Sequence, residues 1–346
     1  MSKTLQDYAT LINDTIQSNE INHYITTDNM CQNLGGIDTF KNINIPQGKV
    51  RSFQKDDVLL SNIRLYFRKV YRAKQKGGCS SDVLVFRAKH IDSATLFAIL
   101  SSQIFTDYAC SGSQGSKMPR GNKTHMMDFK IPTINFTIAK IFNSIQNKIE
   151  NNHKINELLH TLAYKIYEYY FKYKSKNAKL EQIIIENPKS SIMVKNAQKT
   201  QDKYPFFTSG DNILSYPKAI IDGRNCFLNT GGNAGIKFYV GKASYSTDTW
   251  CICANEFSDY LYLLLSSIRT HINQSFFQGT SLKHLQKNLL KKYPIYMPSV
   301  HEIKKFNQII MPLLTLISIN TRTSKKLEQI RDFLLPLLLK QQVKPQ

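Results

Sequence analysis

The residues of this sequence that are best suited to chemistry are basic and amide side chains in two polar stretches of its first half. One stretch follows a predicted strand at 58–60, and the other is the loop 111–123, which contains three glycines and three basic residues. Basic side chains and small donors suit phosphate oxygens, and arginine, lysine, asparagine and glutamine also suit base edges. The candidate contact residues are Ser61, Asn62, Arg64, Arg68, Lys69, Gln114, Ser116, Lys117, Arg120, Asn122 and Lys123.

The charge balance favours the same chemistry. The chain has 346 residues, with 46 Lys+Arg against 25 Asp+Glu, a net charge of +21 and a pI near 9.6. This excess points first to nucleic acid and second to an anionic membrane surface. The membrane interpretation is weak because the basic residues are dispersed and no apolar run approaches about 18 residues. The N-terminus lacks the pattern of a signal peptide, which predicts a cytoplasmic protein.

The motifs of covalent chemistry are missing from the sequence. It contains no GxxxxGK[ST], GxGxxG or HExxH pattern, and ENPK is only a faint echo of the proline-containing tetrapeptide of amino-methyltransferases. The six cysteines are scattered without a CxxC, and the eight histidines stand singly. We therefore predict a binding protein rather than an enzyme, with no catalytic residue, metal or cofactor.

The candidate contacts belong to a region that occurs twice. Residues 58–71 align with 226–239, so that Lys69 matches Lys237, and Gln114-Gly115-Ser116 aligns with Gln278-Gly279-Thr280. The pairs Ser81-Asp82 and Thr247-Asp248 fall between these matches in both copies. By this repeat, the second region contributes the candidates Thr230, Asn233, Lys237, Gln278, Thr280 and Lys283.

Each repeated region is followed by a long helix with an apolar heptad pattern, which is typical of a coiled coil. In the first helix the seams are Ile138, Ile145, Asn152, Leu159 and Ile166, and Ile141, Ile155 and Leu162. In the second they are Phe306, Leu313, Asn320, Leu327 and Leu334, and Ile309, Leu316, Ile330 and Leu337. We expect antiparallel pairing with Asn152 near Asn320. Pro312 and Pro336 are expected to kink or end the second helix.

These patterns predict an α+β chain with pseudo-twofold organisation. Two mixed target-binding domains, 1–136 and 177–299, alternate with two long antiparallel helices, 137–176 and 300–346. A helix of about 36 residues is roughly 50 Å long, which suits two duplex half-sites about one to one and a half turns apart. Because the loops of the two domains differ, the half-sites should differ in sequence and form an asymmetric, bipartite target.

The chain resembles a specificity (S) subunit of a type I restriction-modification system over essentially its whole length. The likeness rests on YITTDNM followed by GGI, on KYPFFTSGDN, on the QGS and QGT segments, and on the tandem order. This resemblance implies two target recognition domains that bind double-stranded DNA, with helices that dock two methyltransferase (M) subunits. It also implies association with restriction endonuclease-translocase (R) subunits, no catalysis by this chain alone, and methylation at adenine N6.

Two other interpretations are compatible with the same residues. A type IIB specificity subunit would have a closely similar sequence. A coiled-coil structural protein that binds nucleic acid would instead dimerise through its helices, and its mass on gel filtration would distinguish it from a monomer that binds two methyltransferases.

Overall fold

A computed structural model describes residues 3–38, 43–131, 134–197, 203–210, 213–279 and 282–338. Its internal contacts divide the chain into two units. The first unit extends to Asn151 and includes the stretch from Ser324 onward, and the second unit runs from Asn152 to Thr323.

The first unit combines two four-stranded sheets with short helices. Its strands are β1 (Ala9–Ile12), β2 (Thr15–Gln17), β3 (Tyr24–Ile25), β4 (Lys49–Phe53), β5 (Val58–Ser61), β6 (Val70–Arg72), β7 (Gly77–Cys79) and β8 (Val83–Ala88). Its short helices are α1 (Leu5–Tyr8), α2 (Ser93–Leu100), α3 (Gln103–Ser111) and α4 (Lys123–Met127), and the long helix α5 (Phe136–Tyr167) follows. The sheet orders are β1-β8-β5-β6 and β2-β4-β7-β3, and only β3 and β7 pair in parallel.

Strand β5 lies at the centre of the first unit because both of its faces are apolar. Val58 and Leu60 pack in one hydrophobic cluster with helix α2, whereas Leu59 packs in a second cluster with Val83 and Val85 of β8. Successive side chains of a strand point to opposite faces, so the run VLL supplies both cores at once. Packing on both faces fixes the end of β5, and this in turn fixes the position of the polar residues that follow the strand.

The second unit repeats this plan. Its strands are β9 (Ala178–Lys179), β10 (Ile185–Glu186), β11 (Tyr204–Phe207), β12 (Leu214–Tyr216), β13 (Arg224–Asn229), β14 (Ile236–Val240), β15 (Ser244–Tyr245), β16 (Thr249–Cys253), β17 (Phe277–Gln278), β18 (His284–Leu285) and β19 (Pro294–Ile295). Its helices are α6 (Val194–Ala197), α7 (Ser258–Ser267), α8 (Arg269–Ser275) and α9 (Lys287–Lys291), followed by the long helix α10 (Val300–Leu338). The sheet β10-β16-β13-β14 has the topology of β1-β8-β5-β6, and the parallel pair β11·β15 matches β3·β7. The predicted internal repeat is confirmed.

One predicted match within the repeat is wrong by two residues. Leu60 pairs with Val70, and the equivalent Leu228 pairs with Ile236, so Lys237 occupies the position of Tyr71 rather than that of Lys69. The cause is the length of the connection between the two strands. It has eight residues in the first unit, 62–69, and six in the second, 230–235.

The two long helices are antiparallel within each unit, as predicted. In the first unit, the Asn135 N–H donates to the Leu338 carbonyl at 3.1 Å, and Arg331 Nη1 donates to Gln146 Oε1 at 3.0 Å. Later residues of α5 therefore lie beside earlier residues of α10. The second unit shows the same direction, because Phe171, in a short π-helix that continues α5, packs edge-to-face on Phe306 with 4.9 Å between ring centroids.

The predicted asparagine pairing needs a correction of about one helical turn. Asn320 Nδ2 donates to Asn156 Oδ1 at 3.0 Å, and Asn156 lies one helical turn after Asn152. Asn152 is itself buried, at 1% exposure. The register shifts because each helix also packs on the core of its unit, through Phe142 in the first and Tyr167 in the second.

The same packing changes which apolar positions of the helices are covered. Leu159 and Leu327 of the predicted first seams are partly buried. Six residues of the predicted companion seams are exposed, namely Ile141, Ile155, Leu162, Ile309, Leu316 and Ile330. A two-helix coiled coil would bury both seams. Here the core of each unit competes for the helix surface and leaves these residues in solvent.

Helix α10 continues through both of its prolines, so neither Pro312 nor Pro336 ends it, and of the two predicted effects only a kink stays a prediction. It begins after a capping box in which Ser299 N–H donates to Glu302 Oε2 at 2.9 Å and Glu302 N–H donates to Ser299 Oγ at 3.3 Å. Pro312 and Pro336 both lie on exposed positions. Water can therefore hydrate the carbonyls that a proline leaves without an N–H partner.

Arg331 is a buried cation that the sequence pattern did not single out. Its residue is only 2% exposed, and besides Gln146 it contacts the carboxylate of Asp332 at 3.0 Å. Gln146 in turn donates to the Leu34 carbonyl at 2.7 Å. These hydrogen bonds connect α5, α10 and the loop that contains Leu34, and so fix the positions of the three segments relative to one another within the first unit.

Trp250, the single tryptophan of the chain, offers a fluorescent reporter of one carboxylate in the second unit. Its Nε1 donates to Glu186 Oε2 at 2.8 Å, and Lys291 also donates to Glu186. The Lys291 ammonium and the Trp250 indole hold the pKa of the Glu186 carboxyl below its ordinary value of 4.5. A depressed folded-state pKa means that the ionised carboxylate stabilises the fold above pH 4.5 and that this contribution is lost as the pH falls further.

We therefore expect tryptophan emission to change in acid with a midpoint below pH 4.5. The measurement is an acid titration of fluorescence, with far-UV circular dichroism recorded on the same samples to separate local from global change. Glu186→Gln should remove the transition. A midpoint at or above pH 4.5 would contradict the assignment.

Candidate nucleic-acid interface

In the first unit, the polar loop that follows α3 is held against the end of strand β5. Gln114 and Arg120 exchange two backbone hydrogen bonds, of 2.9 and 2.8 Å. The Gly121 N–H then donates to the Asn62 carbonyl at 3.1 Å, and the Arg64 N–H donates to the Pro119 carbonyl at 2.9 Å. The structure thus brings together the two stretches of candidates that are about fifty residues apart in the sequence.

The side chains at the tip of this loop face solvent. Gln114, Ser116 and Lys117 are exposed, and the Arg120 side chain is 60% exposed while its Nη2 contacts Asp82 Oδ1 at 3.0 Å. Arg64 stabilises the tip of the loop, because its Nη2 donates a hydrogen bond to the Lys117 carbonyl at 3.2 Å. This arrangement presents cationic and amide groups on a fixed backbone.

The segment after the loop begins helix α4. Asn122 is exposed but is the N-cap, since its Oδ1 accepts the His125 N–H at 3.1 Å. Lys123, the first residue of the helix, is exposed and adds a further cation beside the loop.

Four of the candidates in the first unit instead serve the interior. Ser61 is buried and donates from Oγ to the Ile63 carbonyl at 3.0 Å. Arg68 Nη2 donates to the Ser101 carbonyl at 2.9 Å, and burial lowers the pKa of its guanidinium. Lys69 Nζ donates to the Thr27 carbonyl. Asn62 is 9% exposed, and its Oδ1 is buried without a hydrogen-bond partner among the described residues.

The second unit builds the equivalent surface from the hairpin of β17 and β18. The Thr230 N–H donates to the Asp248 carbonyl at 3.2 Å, as Asn62 does to Asp82 at 2.8 Å. The Thr230 carbonyl accepts the Leu285 N–H at 3.0 Å, which anchors the hairpin to the end of β13. The candidates Asn233, Gln278 and Lys283 are exposed, and Thr280 lies outside the described residues.

Lys237 belongs with the supporting residues. Its Nζ donates to the carbonyls of Thr208 and Gly210 at 2.8 and 2.6 Å. Lys69 reaches the corresponding turn after β3, although the two lysines occupy different positions in their sheets. A cation that ties this turn to the sheet is therefore common to both units.

One exposed residue at this surface was missed by the sequence reasoning. His284 pairs with Gln278 in the hairpin and bridges to Gly231, whereas Arg120 pairs with Gln114 and bridges to Ile63. His284 therefore holds the position of Arg120. The available signal was spacing, because each residue lies six positions after the glutamine of its QG segment.

Two absences hold for the part of the chain that the structure describes. No three histidine, cysteine, aspartate or glutamate side chains in that part come together as a metal site. None of the helices described is long and apolar enough to cross a membrane.

Comparison with protein families bears directly on this surface. Residues 172–329 match the model of the type I restriction modification DNA specificity domain. This stretch is similar to a type I specificity domain. The match includes the hairpin of β17 and β18 and the sheet that supports it. The predicted resemblance to type I specificity subunits is confirmed, and the matched family has a role in DNA specificity.

Solved structures extend the likeness to the fold of the whole chain. The S subunit of a type I restriction-modification system from M. genitalium matches with a TM-score of 0.65 and 14% identity, over 99% of this chain and 96% of that one. The HsdS subunit from Thermoanaerobacter tengcongensis has 13% identity over 98% of this chain and 96% of its own, but its TM-score of 0.37 adds no support. No curated protein matches the sequence.

Proposed function

We propose that the chain is the DNA-specificity subunit of a type I restriction-modification complex and binds an asymmetric, bipartite duplex target. Its recognition domains are residues 1–136 and 177–299, and its spacer helices are 137–176 and 300–346. The observation that carries the proposal is one backbone framework used twice with different exposed side chains. A framework of this kind presents two binding surfaces of the same shape and of different chemistry, which suits two unlike half-sites.

Within each half-site we assign the exposed residues to DNA and the internal ones to support. In the first unit the contacts are Arg120, Gln114, Ser116, Lys117 and Lys123. In the second they are Asn233, Gln278 and Lys283, together with Thr280, which lies outside the described residues. Lysines on such loops suit phosphates, whereas arginine, asparagine and glutamine suit base edges.

The exposed apolar residues of the long helices support a docking role. Leu158 and Leu162 on α5 and Leu316 on α10 are between 42% and 58% exposed. Exposed leucines that recur at helical spacing mark an interaction surface rather than ordinary solvent-facing helix. We propose that the long helices bind two methyltransferase subunits, which would supply the catalysis. The assembled complex would then associate with restriction subunits.

Removing the two cations that frame the first loop tests its assignment. Arg120→Ala with Lys123→Ala should weaken binding of target duplex by about 10- to 100-fold and lower the salt dependence, because one base contact and one phosphate contact are lost. The measurement is a fluorescence anisotropy titration at several salt concentrations, with the full chain bound to its methyltransferase partner.

The matched control is Lys55→Ala with Lys76→Ala. Both lysines are exposed and lie beside the start of β5 and the end of β6, at the opposite end of this strand pair from the loop. This control removes the same charge and should change affinity far less. Equal losses in the two double variants would assign the effect to net charge and remove the loop from the site.

A further inference from the structure

The two binding surfaces correspond residue by residue through their backbone hydrogen bonds. In the first unit, Asn62 accepts from Gly121, and Ile63 bridges to Arg120. In the second unit, Thr230 accepts from Leu285, and Gly231 bridges to His284. Two consecutive matches on each strand fix the register, so the equivalence of Arg120 and His284 does not depend on sequence alignment.

The segments that lead to these residues have the same length, and each has a glycine with a positive φ angle directly after its glutamine. Gly115 and Gly279 follow the paired glutamines and have φ angles of +99° and +140°. A side chain at Gly279 would place Cβ 2.4 Å from the Leu282 carbonyl oxygen, so this turn requires glycine. The side chains of Arg120 and His284 therefore leave equivalent hairpins at equivalent places.

The immediate surroundings of the two side chains differ. Arg120 is held by Asp82 through Nη2 at 3.0 Å, which leaves its Nε and Nη1 donors outside that ion pair. Asp248, the equivalent of Asp82, instead accepts a hydrogen bond from the Ser246 hydroxyl. The His284 side chain is exposed, and it forms no ion pair with Asp248 or with any other residue that the structure describes.

We propose that Arg120 and His284 are equivalent specificity determinants, each selecting one base pair of its half-site. This inference rests on the proposed function. An oriented guanidinium matches the N7 and O6 acceptors of guanine in the major groove, so Arg120 selects a guanine. An imidazole offers a single donor or acceptor at each nitrogen and cannot form that fork, so His284 selects its base pair differently.

The test is an exchange of the two residues. The full chain, bound to its methyltransferase subunit, is used to select from a random duplex library, in the wild type and in the variants Arg120→His and His284→Arg. Arg120→His should reduce the preference for guanine at one position of one half-site by about 10- to 100-fold and leave the other half-site unchanged. His284→Arg should introduce a guanine preference at one position of the other half-site.

A third variant keeps the test decisive if an exchange impairs binding. Arg120→Lys retains the charge but loses the planar fork, so it should keep the remaining motif and weaken the guanine preference at the same position. A wild-type motif that all three variants reproduce unchanged would overturn the inference and leave the proposed function intact. A wild type that enriches no motif would overturn the proposed function itself, and this inference with it.

Discussion

Glutamate in place of both Leu158 and Leu162 is expected to abolish binding of the methyltransferase subunit to this chain. The two side chains are 58% and 49% exposed on α5, one turn apart and hence on the same helix face. Buried leucines at an interface contribute on the order of 2 kcal/mol each, and a carboxylate buried without a partner adds a further penalty. We therefore expect affinity to fall by at least about 100-fold.

The measurement is isothermal titration of the full chain with the methyltransferase subunit, supported by gel filtration of the mixture. Because both positions face solvent in this chain, the free variant should keep the circular dichroism and melting temperature of the wild type. Leu158→Met with Leu162→Met preserves an apolar surface of similar volume and should bind within a few-fold of the wild type. Unchanged affinity in the glutamate variant would place the docking surface elsewhere.

Asp259→Ala is expected to be among the most destabilising single substitutions in the second unit. Asp259 is 2% exposed and accepts from Arg224 Nε at 2.5 Å. Arg224 also donates to Thr315 Oγ1 at 3.0 Å and to the Met311 carbonyl at 3.2 Å, so this ion pair attaches helix α10 to strand β13. Removing the carboxylate leaves a largely buried guanidinium without its counter-ion, which costs about 3–5 kcal/mol.

Urea denaturation monitored by Trp250 fluorescence measures the effect, because that tryptophan lies in the core cluster of the same unit. The double substitution Arg224→Met with Asp259→Leu removes both charges and fills their volume. It should recover most of the lost stability, since buried ion pairs are often replaceable by apolar residues. A single variant as stable as the wild type would show that Arg224 is solvated rather than paired.

The sequence was sufficient to predict the parts of the fold that depend on pattern. The apolar run VLL predicted a strand, and buried β5 confirms it. The run SGSQGSKMPRGNK contains almost nothing to bury, and most of it is exposed. The repeated QG segments correctly predicted equivalent loops, because glycine at a positive φ and a fixed spacing specify a turn locally.

The sequence was insufficient where partners compete for one surface. Asn320 pairs with Asn156 because the register depends on how each helix packs on its core, which a heptad pattern does not contain. Lys237 was matched with Lys69, although the connections between the paired strands differ in length by two residues. The two lysines therefore occupy different positions in their sheets, but both bind carbonyls of the turn after the equivalent strand.

The choice of site residues meets a related limit. Ser61 and Arg68 have residue types that suit DNA, but their side chains are committed to internal carbonyls. Burial decides between these roles, and burial depends on the tertiary structure. His284 was overlooked because it was judged by residue type and not by its position in the repeat. Arg331 stood among ordinary charged helix residues, and only packing shows that it is buried.

The most direct test of the central claim is the selection of duplex DNA from a random library by the wild-type chain bound to its methyltransferase partner. The two units share a framework and differ at their exposed positions, so we expect two short, unlike motifs separated by a gap of fixed length. Retained DNA without any enriched sequence would mean that the net charge of +21 holds DNA nonspecifically. A single uninterrupted motif would equally contradict recognition by two separate units.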